Sequence, residues 1–197
     1  MKFYESGDNR KPVIFLFPGT CCQYSSFDHV LDGLHSYFYT VAVSYDGFDS
    51  NEKTEFYSME DECEKIEQEI RTKYGGRIKA AYGCSLGGSF VSLLIQRKRI
   101  HIDYGIIGSS DMDEAGNLVA KIQASMVVPF MYKMIHTGAL PKFMQKKLNK
   151  TDEVKKELYN GFLNMFGIGK GGSPWITKQS IYLSLIHISE PTRLLSI

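Results

Sequence analysis

Short apolar runs alternate with longer amphipathic segments over the first half of the chain, and this alternation restricts the fold more than any other feature. Val13–Phe17 is apolar throughout, and the other strand-like runs are Tyr39–Tyr45, Arg77–Tyr82 and Ile102–Ile107. The segments between them, which carry apolar residues at spacings of three and four, are Ser26–Phe38, Glu55–Tyr74 and Leu86–Lys98. Continuous apolar runs are typical of parallel strands that helices cover on both faces. The sequence therefore predicts an α/β fold with a mostly parallel sheet and crossover helices.

The alternation stops after Ser110, and only helical patterns follow. They cover Leu118–His136, Lys142–Lys150 and Glu153–Phe166, and a further helix is expected to begin within Trp175–Ile181. A helical block of this kind suggests a cap over the carboxyl edge of the sheet, although a helical subdomain with no role at the site stays open. We therefore divide the chain into the first part of an α/β core, residues 1–110, and a helical cap, residues 111–182.

Composition excludes several classes of protein. The chain has 197 residues, enough for one domain, with 23 Lys+Arg against 22 Asp+Glu and a formal charge of +1. This balance gives no indication of a nucleic-acid partner, and no apolar stretch has the length of a signal peptide or a membrane span. Cys21, Cys22, Cys63 and Cys84 match neither a zinc site nor a disulfide framework. We expect a cytoplasmic protein with no cofactor and no metal; its oligomeric state stays open.

The segment Gly83-Cys84-Ser85-Leu86-Gly87 matches the pattern G-x-S-x-G, and it lies between a predicted strand and a predicted helix. In this pattern a serine occupies a sharp, strained turn, and the glycines allow the close approach of backbone around it. Such a turn raises the hydroxyl above the sheet at the N-terminus of a helix. Ser85 is therefore the predicted nucleophile, and a purely structural serine is the alternative.

Attack on an acyl carbonyl also requires hydrogen-bond donors for the oxyanion. The backbone N–H of Leu86 is one candidate, because it directly follows the serine. We expect the second donor in the turn Phe17–Cys21, at the end of the first apolar run. The N–H of Thr20 is the predicted donor and that of Cys21 the substitute, unless this segment is a plain strand-ending turn.

The order of these motifs over residues 11–182 resembles the α/β-hydrolase superfamily, and in particular small bacterial serine hydrolases with a helical cap. The resemblance implies a Ser–His–acid triad in the chain order serine, acid, histidine, with the last two on loops after late strands. Here the chain departs from the pattern, because no such strands follow the predicted cap. We therefore expect the core to be incomplete and this form of the chain to be inactive.

Some superfamily members place the acid after the fourth strand, which makes Asp111, with Asp113 beside it, a candidate; a helix N-cap is the alternative. Among the histidines, His29, His35 and His101 are expected to be exposed, and His136 is a weak candidate for the base. The remaining histidine, His187, lies in a segment to which we assign no role.

That segment, residues 183–193, reads LSLIHISEPTR and resembles the translation of a transposase adapter used to build sequencing libraries. We expect the natural reading frame to be lost near Tyr182 and residues 183–197 to form a non-native tail. Such a tail should pack poorly or pair with an open sheet edge. A genuine C-terminal strand, Leu183–Ile188, is the alternative.

These features together predict a serine hydrolase that acts on an ester or thioester of a small or medium acyl group. An acyltransferase and a non-catalytic binding protein of the same fold are the alternatives. The cysteines near Ser85 are expected to fill space rather than to react. Side chains that could line an acyl pocket, or else pack the cap on the core, are Phe130, Met131, Met134, Phe143 and Met165.

Overall fold

The computed structural model describes residues 1–108, 117–166, 168 and 171–188. Its sheet has five strands in the order β1-β3-β2-β4-β5. The strands are β1 (Lys2–Ser6), β2 (Val13–Phe17), β3 (Tyr39–Ser44), β4 (Arg77–Cys84) and β5 (His101–Gly108). β1 pairs with β3 in the antiparallel direction, and every other pair is parallel. The predicted α/β fold with a mostly parallel sheet is confirmed.

Helices connect the parallel strands, and a helical block follows them. The helices between strands are α1 (Asp28–His35), α2 (Met59–Tyr74) and α3 (Leu86–Arg97), and a 3-10 turn, Tyr24–Phe27, precedes α1. The later helices are α4 (Asn117–Thr137), α5 (Lys142–Leu148), α6 (Glu153–Met165) and α7 (Lys178–Ile188). Most of these helices lie within two residues of the predicted bounds. The exceptions are α1, which ends three residues earlier than predicted, α2, which begins four residues later, and α7, which extends beyond its predicted segment.

The bounds of α2 have a local cause at each end. The Ser58 hydroxyl accepts a hydrogen bond from the Asp61 N–H at 3.1 Å and so caps the first turn. At the other end Gly75 adopts a left-handed conformation with φ of 62°, which a glycine reaches without steric cost. The acidic first turn and the basic last turn also complement the helix dipole.

Side chains of β2 alternate between the two faces of the sheet. Phe15 and Phe17 join the larger core, which contains the buried faces of α2 and α3 and contacts from α4 and α7. Ile14 and Leu16 point to the opposite face, where α1 covers them. The sheet is therefore a central layer with apolar packing on both sides, which explains why β2 is apolar throughout.

Two features differ from the sequence-based expectations. The first is β1, which the sequence does not predict because KFYES mixes polar and apolar residues at the edge of the sheet.

The second is the C-terminal segment. The expectation that residues from 183 onward pack poorly is wrong for the described part of that segment. There the chain continues α7, Ser184 and Ile186 are buried, and α7 packs against α4. Neither the strand Leu183–Ile188 nor pairing with a sheet edge is observed there. Residues 189–197 lie outside the described part of the chain.

Among the helices within the described ranges, none combines the length and the hydropathy needed to cross a bilayer.

A buried acidic cluster joins the end of β3 to α2. The Glu62 carboxylate is fully buried, accepts the Asp46 N–H at 3.1 Å and lies 3.0 Å from Lys65 Nζ. Lys65 also bonds the carboxylates of Asp46 and Asp61. Burial, and secondly the Asp46 charge, raises the pKa of Glu62 to about 7.

This raised pKa predicts how the stability of the protein changes with pH. Between pH 4.5 and 7, folded Glu62 keeps a proton that the unfolded chain releases, so its contribution is full below pH 4.5 and lost as the pH rises through 7. The unfolding free energy of wild type should therefore fall by up to ~3 kcal/mol over this pH range because of Glu62. Glu62→Gln should remove this decline, as measured by urea denaturation at several pH values. Asp61→Asn changes another partner of Lys65 and should keep the decline; equal pH profiles for Glu62→Gln and wild type would contradict the assignment.

Candidate active site

Ser85 lies in a tight turn between β4 and α3, at the carboxyl end of the sheet. Its backbone has φ of 54° and ψ of −120°, a strained conformation for a residue with a side chain. The Ser85 N–H donates to the Gly108 carbonyl at 3.0 Å, which ties the turn to the end of β5. Within the described residues the Ser85 hydroxyl makes no hydrogen bond, and it lines a cavity. The strained strand-to-helix turn predicted for Ser85 is therefore observed.

Two glycines around Ser85 permit this turn by allowing backbone atoms to approach closely. A β-carbon on Gly83 would lie 2.0 Å from the Gly87 carbonyl oxygen. A β-carbon on Gly87 would lie 2.0 Å from the Phe17 carbonyl oxygen and 2.9 Å from that of Pro18. Both clashes are with backbone, so the G-x-S-x-G spacing is a steric requirement of this structure.

The turn after β2 lies directly beside Ser85. A β-carbon built on Gly19 would be 3.7 Å from the Ser85 β-carbon, an ordinary van der Waals contact. The Cys22 N–H closes the turn on the Gly19 carbonyl at 3.1 Å, and Cys21 has a positive φ of 62°. The structure thus brings the predicted oxyanion segment next to the predicted nucleophile and to Leu86, the first residue of α3. That the amides of Thr20 and Leu86 bind an oxyanion stays a prediction.

A cavity of about 590 Å³ opens beside Ser85 and extends along the face of the sheet that α1 covers. Its apolar lining includes Ile14, Leu16, Phe27, Leu34 and Ile106, together with Met131, Met165 and Leu185 from the later helices. Four residues of the lining carry hydroxyl groups: Thr20, Ser26, Tyr82 and Ser85. The arrangement suits a ligand with a long apolar part and a polar group at one end.

Sequence reasoning found only part of this lining. Of the side chains proposed for an acyl pocket, Met131 and Met165 line the cavity. Phe130 and Phe143 do not; their rings lie 6.4 Å apart and both are exposed. The contribution of the α1 side was missed, although the alternation of Ile14 and Leu16 with their neighbours in β2 is the signal that places them on this face.

Cys21 and Cys22, in the turn next to Ser85, are poorly suited to nucleophilic attack. Cys22 and Cys84 line the same cavity, and Cys21 is buried behind it. Burial, and secondly the neighbouring Cys84, raises the pKa of Cys22 to about 12. Burial also raises the pKa of Cys21 well above its usual value. Cys21 and Cys22 are therefore thiols, not thiolates, at neutral pH.

Asp111 and Asp113 lie outside the described residues, as does the side chain of His187.

Histidines in the described part of the chain make no hydrogen bond to Ser85. His35 is half-buried, not exposed as predicted, because it bonds Ser6 and Thr40 at 2.9 and 3.1 Å. His101 is exposed and pairs with Asp103. His136 stacks on Tyr132. His29 is exposed as predicted, yet it lines the same cavity as Ser85.

One group of carboxylates in the described residues has the spacing of a cation site. Oxygens of Asp46, Asp61 and Glu62 lie within 4.8 Å of one another. Lys65 bonds all three, so an ammonium group already lies among these oxygens. The cluster is separate from the cavity that contains Ser85.

No protein-family model and no curated protein matches this sequence. Solved structures do match. A structure of a protein described as an alpha/beta hydrolase family member, from Desulfitobacterium hafniense, aligns with a TM-score of 0.73 at 15% identity, covering 95% of this chain and 72% of that one. A thermophilic esterase from Thermogutta terrifontis aligns with a TM-score of 0.68 at 16% identity, covering 98% and 70%.

A structure of 1H-3-hydroxy-4-oxoquinoline 2,4-dioxygenase also aligns, with a TM-score of 0.58 at 15% identity over 98% of this chain and 68% of that one. The chain therefore has the α/β-hydrolase fold, as the sequence resemblance implied. Because proteins of different chemistry share this fold, the activity has to be argued from the site.

The elbow glycines make a direct test of this geometry. Gly87→Ala places a methyl group against the backbone of β2, and we expect a loss of ~3 kcal/mol in unfolding free energy, measured by denaturant or thermal melts. Gly161→Ala is the matched control. That glycine is in α6 with no atom within 4 Å of its added β-carbon, and the change should stabilise the protein by ~0.4–1 kcal/mol. Equal stability of the two variants would contradict the described close approach.

Proposed function

We propose that the protein is a serine hydrolase that acts on carboxylic esters or thioesters, with Ser85 as the nucleophile. The observation that carries this proposal is the strained turn of Ser85, with φ of 54°, which presents an unpaired hydroxyl to an apolar cavity at the N-terminus of α3. Strained conformations of this kind are enriched at active sites, where the surrounding structure maintains them. The solved esterase of the same fold supports the same reading.

In the proposed reaction, Ser85 Oγ forms a bond to the carbonyl carbon while the π electrons of the carbonyl move onto its oxygen. The N–H groups of Leu86 and Thr20 donate to that oxyanion. The N1 amide of a helix has no carbonyl partner within the helix, so Leu86 is available for this role. The N-terminal end of the α3 dipole adds a favourable electrostatic contribution. Collapse of this intermediate breaks the bond to the alcohol or thiol, which leaves with the proton that Ser85 has lost. Water then hydrolyses the acyl-serine, which releases the acid and restores the Ser85 hydroxyl.

The cavity supports an acyl group with a hydrocarbon chain as the ligand. Apolar side chains form most of its lining, and the helical block contributes Met131, Met165 and Leu185. We therefore propose that α4 and α6 of the predicted cap, together with α7, which extends beyond it, cover the acyl chain while the ester group remains at Ser85. Exclusion of water by such a cap would strengthen the hydrogen bonds to the oxyanion.

A general base is the part of the mechanism that the described residues do not supply. Neither His29 nor any other described histidine side chain bonds Ser85. We propose that Ser85 in this chain reacts slowly for that reason. The same observation favours a second candidate function, a binding protein of this fold that holds an acyl ligand without turning it over.

Chemical rescue tests the nucleophile without requiring a histidine in the chain. We expect p-nitrophenyl butyrate hydrolysis to be slow, of the order of 10⁶-fold below a complete triad, because Ser85 lacks a base. Imidazole added to the buffer should raise the rate of wild type in proportion to its concentration. Ser85→Ala should show only the background reaction of imidazole in solution.

His29→Gln is the control, because His29 lines the cavity and could act as an unrecognised base; the variant should behave as wild type. If wild type and Ser85→Ala remain equal at every imidazole concentration while both bind acyl ligands, the hydrolase proposal fails and the binding-protein function is favoured.

Acyl binding can be tested on the edge strand, where the chain offers neighbouring residues of similar exposure. Ile106 and Ile107 are 47% and 44% exposed, but only Ile106 lines the cavity. In the Ser85→Ala background, each methylene added between butyrate and octanoate should tighten binding about fourfold, from ~0.8 kcal/mol per buried CH₂. Ile106→Asn should reduce this dependence in calorimetric titrations and Ile107→Asn should leave it unchanged; the reverse order would place the acyl chain elsewhere.

A further inference from the structure

Charge is distributed unevenly along the helical block. Residues 117–151 contain six lysines and no acidic residue, although the formal charge of the whole chain is only +1. Among the described residues, the lysines near α5 form no ion pair, whereas Lys155 of α6 pairs with Asp152 at 3.0 Å. These unpaired lysines are exposed and lie on α5 or within two residues of its end: Lys142, Lys146, Lys147 and Lys150.

The lysines share the outer side of α5 with an exposed aromatic ring. Because an α-helix has 3.6 residues per turn, Lys142 and Lys146 lie on the same side as Phe143. The side chain of Phe143 is 67% exposed. Met144 and Leu148 lie on the opposite side, where they line a small cavity against α6. α5 therefore presents a phenylalanine among positive charges to its surroundings.

The exposed side of α4 continues this surface. Ile122, Met126 and Phe130 recur every four residues and are exposed. They lie on the side of the helix opposite Val128, which is buried. The ring of Phe130 is 6.4 Å from the ring of Phe143, so the two helices form one exposed surface. We call these four exposed apolar side chains, together with the lysines of α5, the cap face.

An apolar surface beside unpaired lysines restricts the kind of partner. Contiguous exposed apolar side chains mark places where a protein or a membrane binds. A twofold contact with a second copy would bring two sets of lysines together, which is unfavourable. A nucleic acid has phosphates for the lysines but no hydrocarbon for Ile122 and Met126. A membrane with anionic lipids provides both, since hydrocarbon lies directly beneath its negative headgroups.

We propose that the cap face is a docking surface for a membrane that contains anionic lipids. Its apolar side chains enter the boundary between headgroups and acyl chains, and its lysines contact the lipid phosphates. α4 also contributes to the cavity, because Phe130 is exposed on the cap face while Met131 lines the cavity. A docked membrane would therefore lie close to the cavity that contains Ser85. Docking itself does not depend on the proposed function of Ser85.

Vesicle sedimentation tests the role of the lysines. We expect the chain to bind vesicles of equal parts phosphatidylcholine and phosphatidylglycerol, to be released by salt, and to bind pure phosphatidylcholine far more weakly. Lys142→Gln combined with Lys146→Gln should lower the partition coefficient about 30-fold, since each charge near an anionic surface contributes about fivefold. Lys53→Gln combined with Lys98→Gln is the matched control. Those lysines are exposed but lie outside the cap face, so partitioning should not change.

A second pair of variants tests the apolar part of the cap face. Met126 is 75% exposed, and Met126→Ser should lower the partition coefficient about tenfold or more, because this side chain no longer enters the hydrocarbon. Leu158→Ser is the matched control, because Leu158 is 74% exposed on α6, outside the cap face. Both variants should melt like wild type, since neither side chain is buried in the free chain.

The inference is overturned if wild type does not bind the anionic vesicles, or if the control variants lose as much binding as the cap-face variants. Loss of binding in the lysine variant but not in Met126→Ser would also overturn it, because that pattern is typical of a general polyanion site for nucleic acid or an acidic protein. A dimer in light scattering that Met126→Ser converts to a monomer would assign the cap face to a second copy instead.

Discussion

The close approach of the first turn of α3 to the end of β2 is the contact on which the rest of the site depends. At Gly87 the helix comes so near the Phe17 carbonyl that a β-carbon would lie 2.0 Å from its oxygen. A β-carbon on Gly83 would likewise lie 2.0 Å from the Gly87 carbonyl oxygen. Since the neighbours are backbone atoms, no change of side-chain rotamer can relieve either contact. The two glycines therefore fix Ser85 at the end of β4 and beside the turn that carries Thr20.

This arrangement concentrates backbone strain where the two turns meet. Ser85 and Cys21 have positive φ angles of 54° and 62°, which residues with side chains rarely adopt. Such conformations persist only where surrounding contacts over-determine them. At Ser85 the contact is the hydrogen bond to Gly108; at the other turn it is the Tyr45 hydroxyl on the Pro18 carbonyl. The Tyr45 ring also stacks on Phe90 of α3 at 4.5 Å, so one aromatic cluster supports both turns.

The sequence predicts those parts of the fold whose requirements are local. The strands β2 to β5 follow from apolar runs, and the elbow follows from glycines that a backbone contact demands. β1 escapes prediction because an edge strand need not be apolar. The C-terminal half of α7 has strand-like residues, yet it is helical, because Ile181 and Ser184 are buried in a helix that packs against α4. The hydrophobic effect is non-directional, so an apolar segment of any origin gains by packing there.

The cavity could not be predicted, because its lining comes from segments far apart in sequence, such as Leu34 and Leu185. Its lining is nevertheless uneven in polarity. Apolar side chains form most of the wall, and Thr20 and Ser85 are among the few lining residues that carry a hydroxyl group. In a cavity of this kind the apolar wall buries the apolar part of a ligand, whereas a few polar groups fix its orientation.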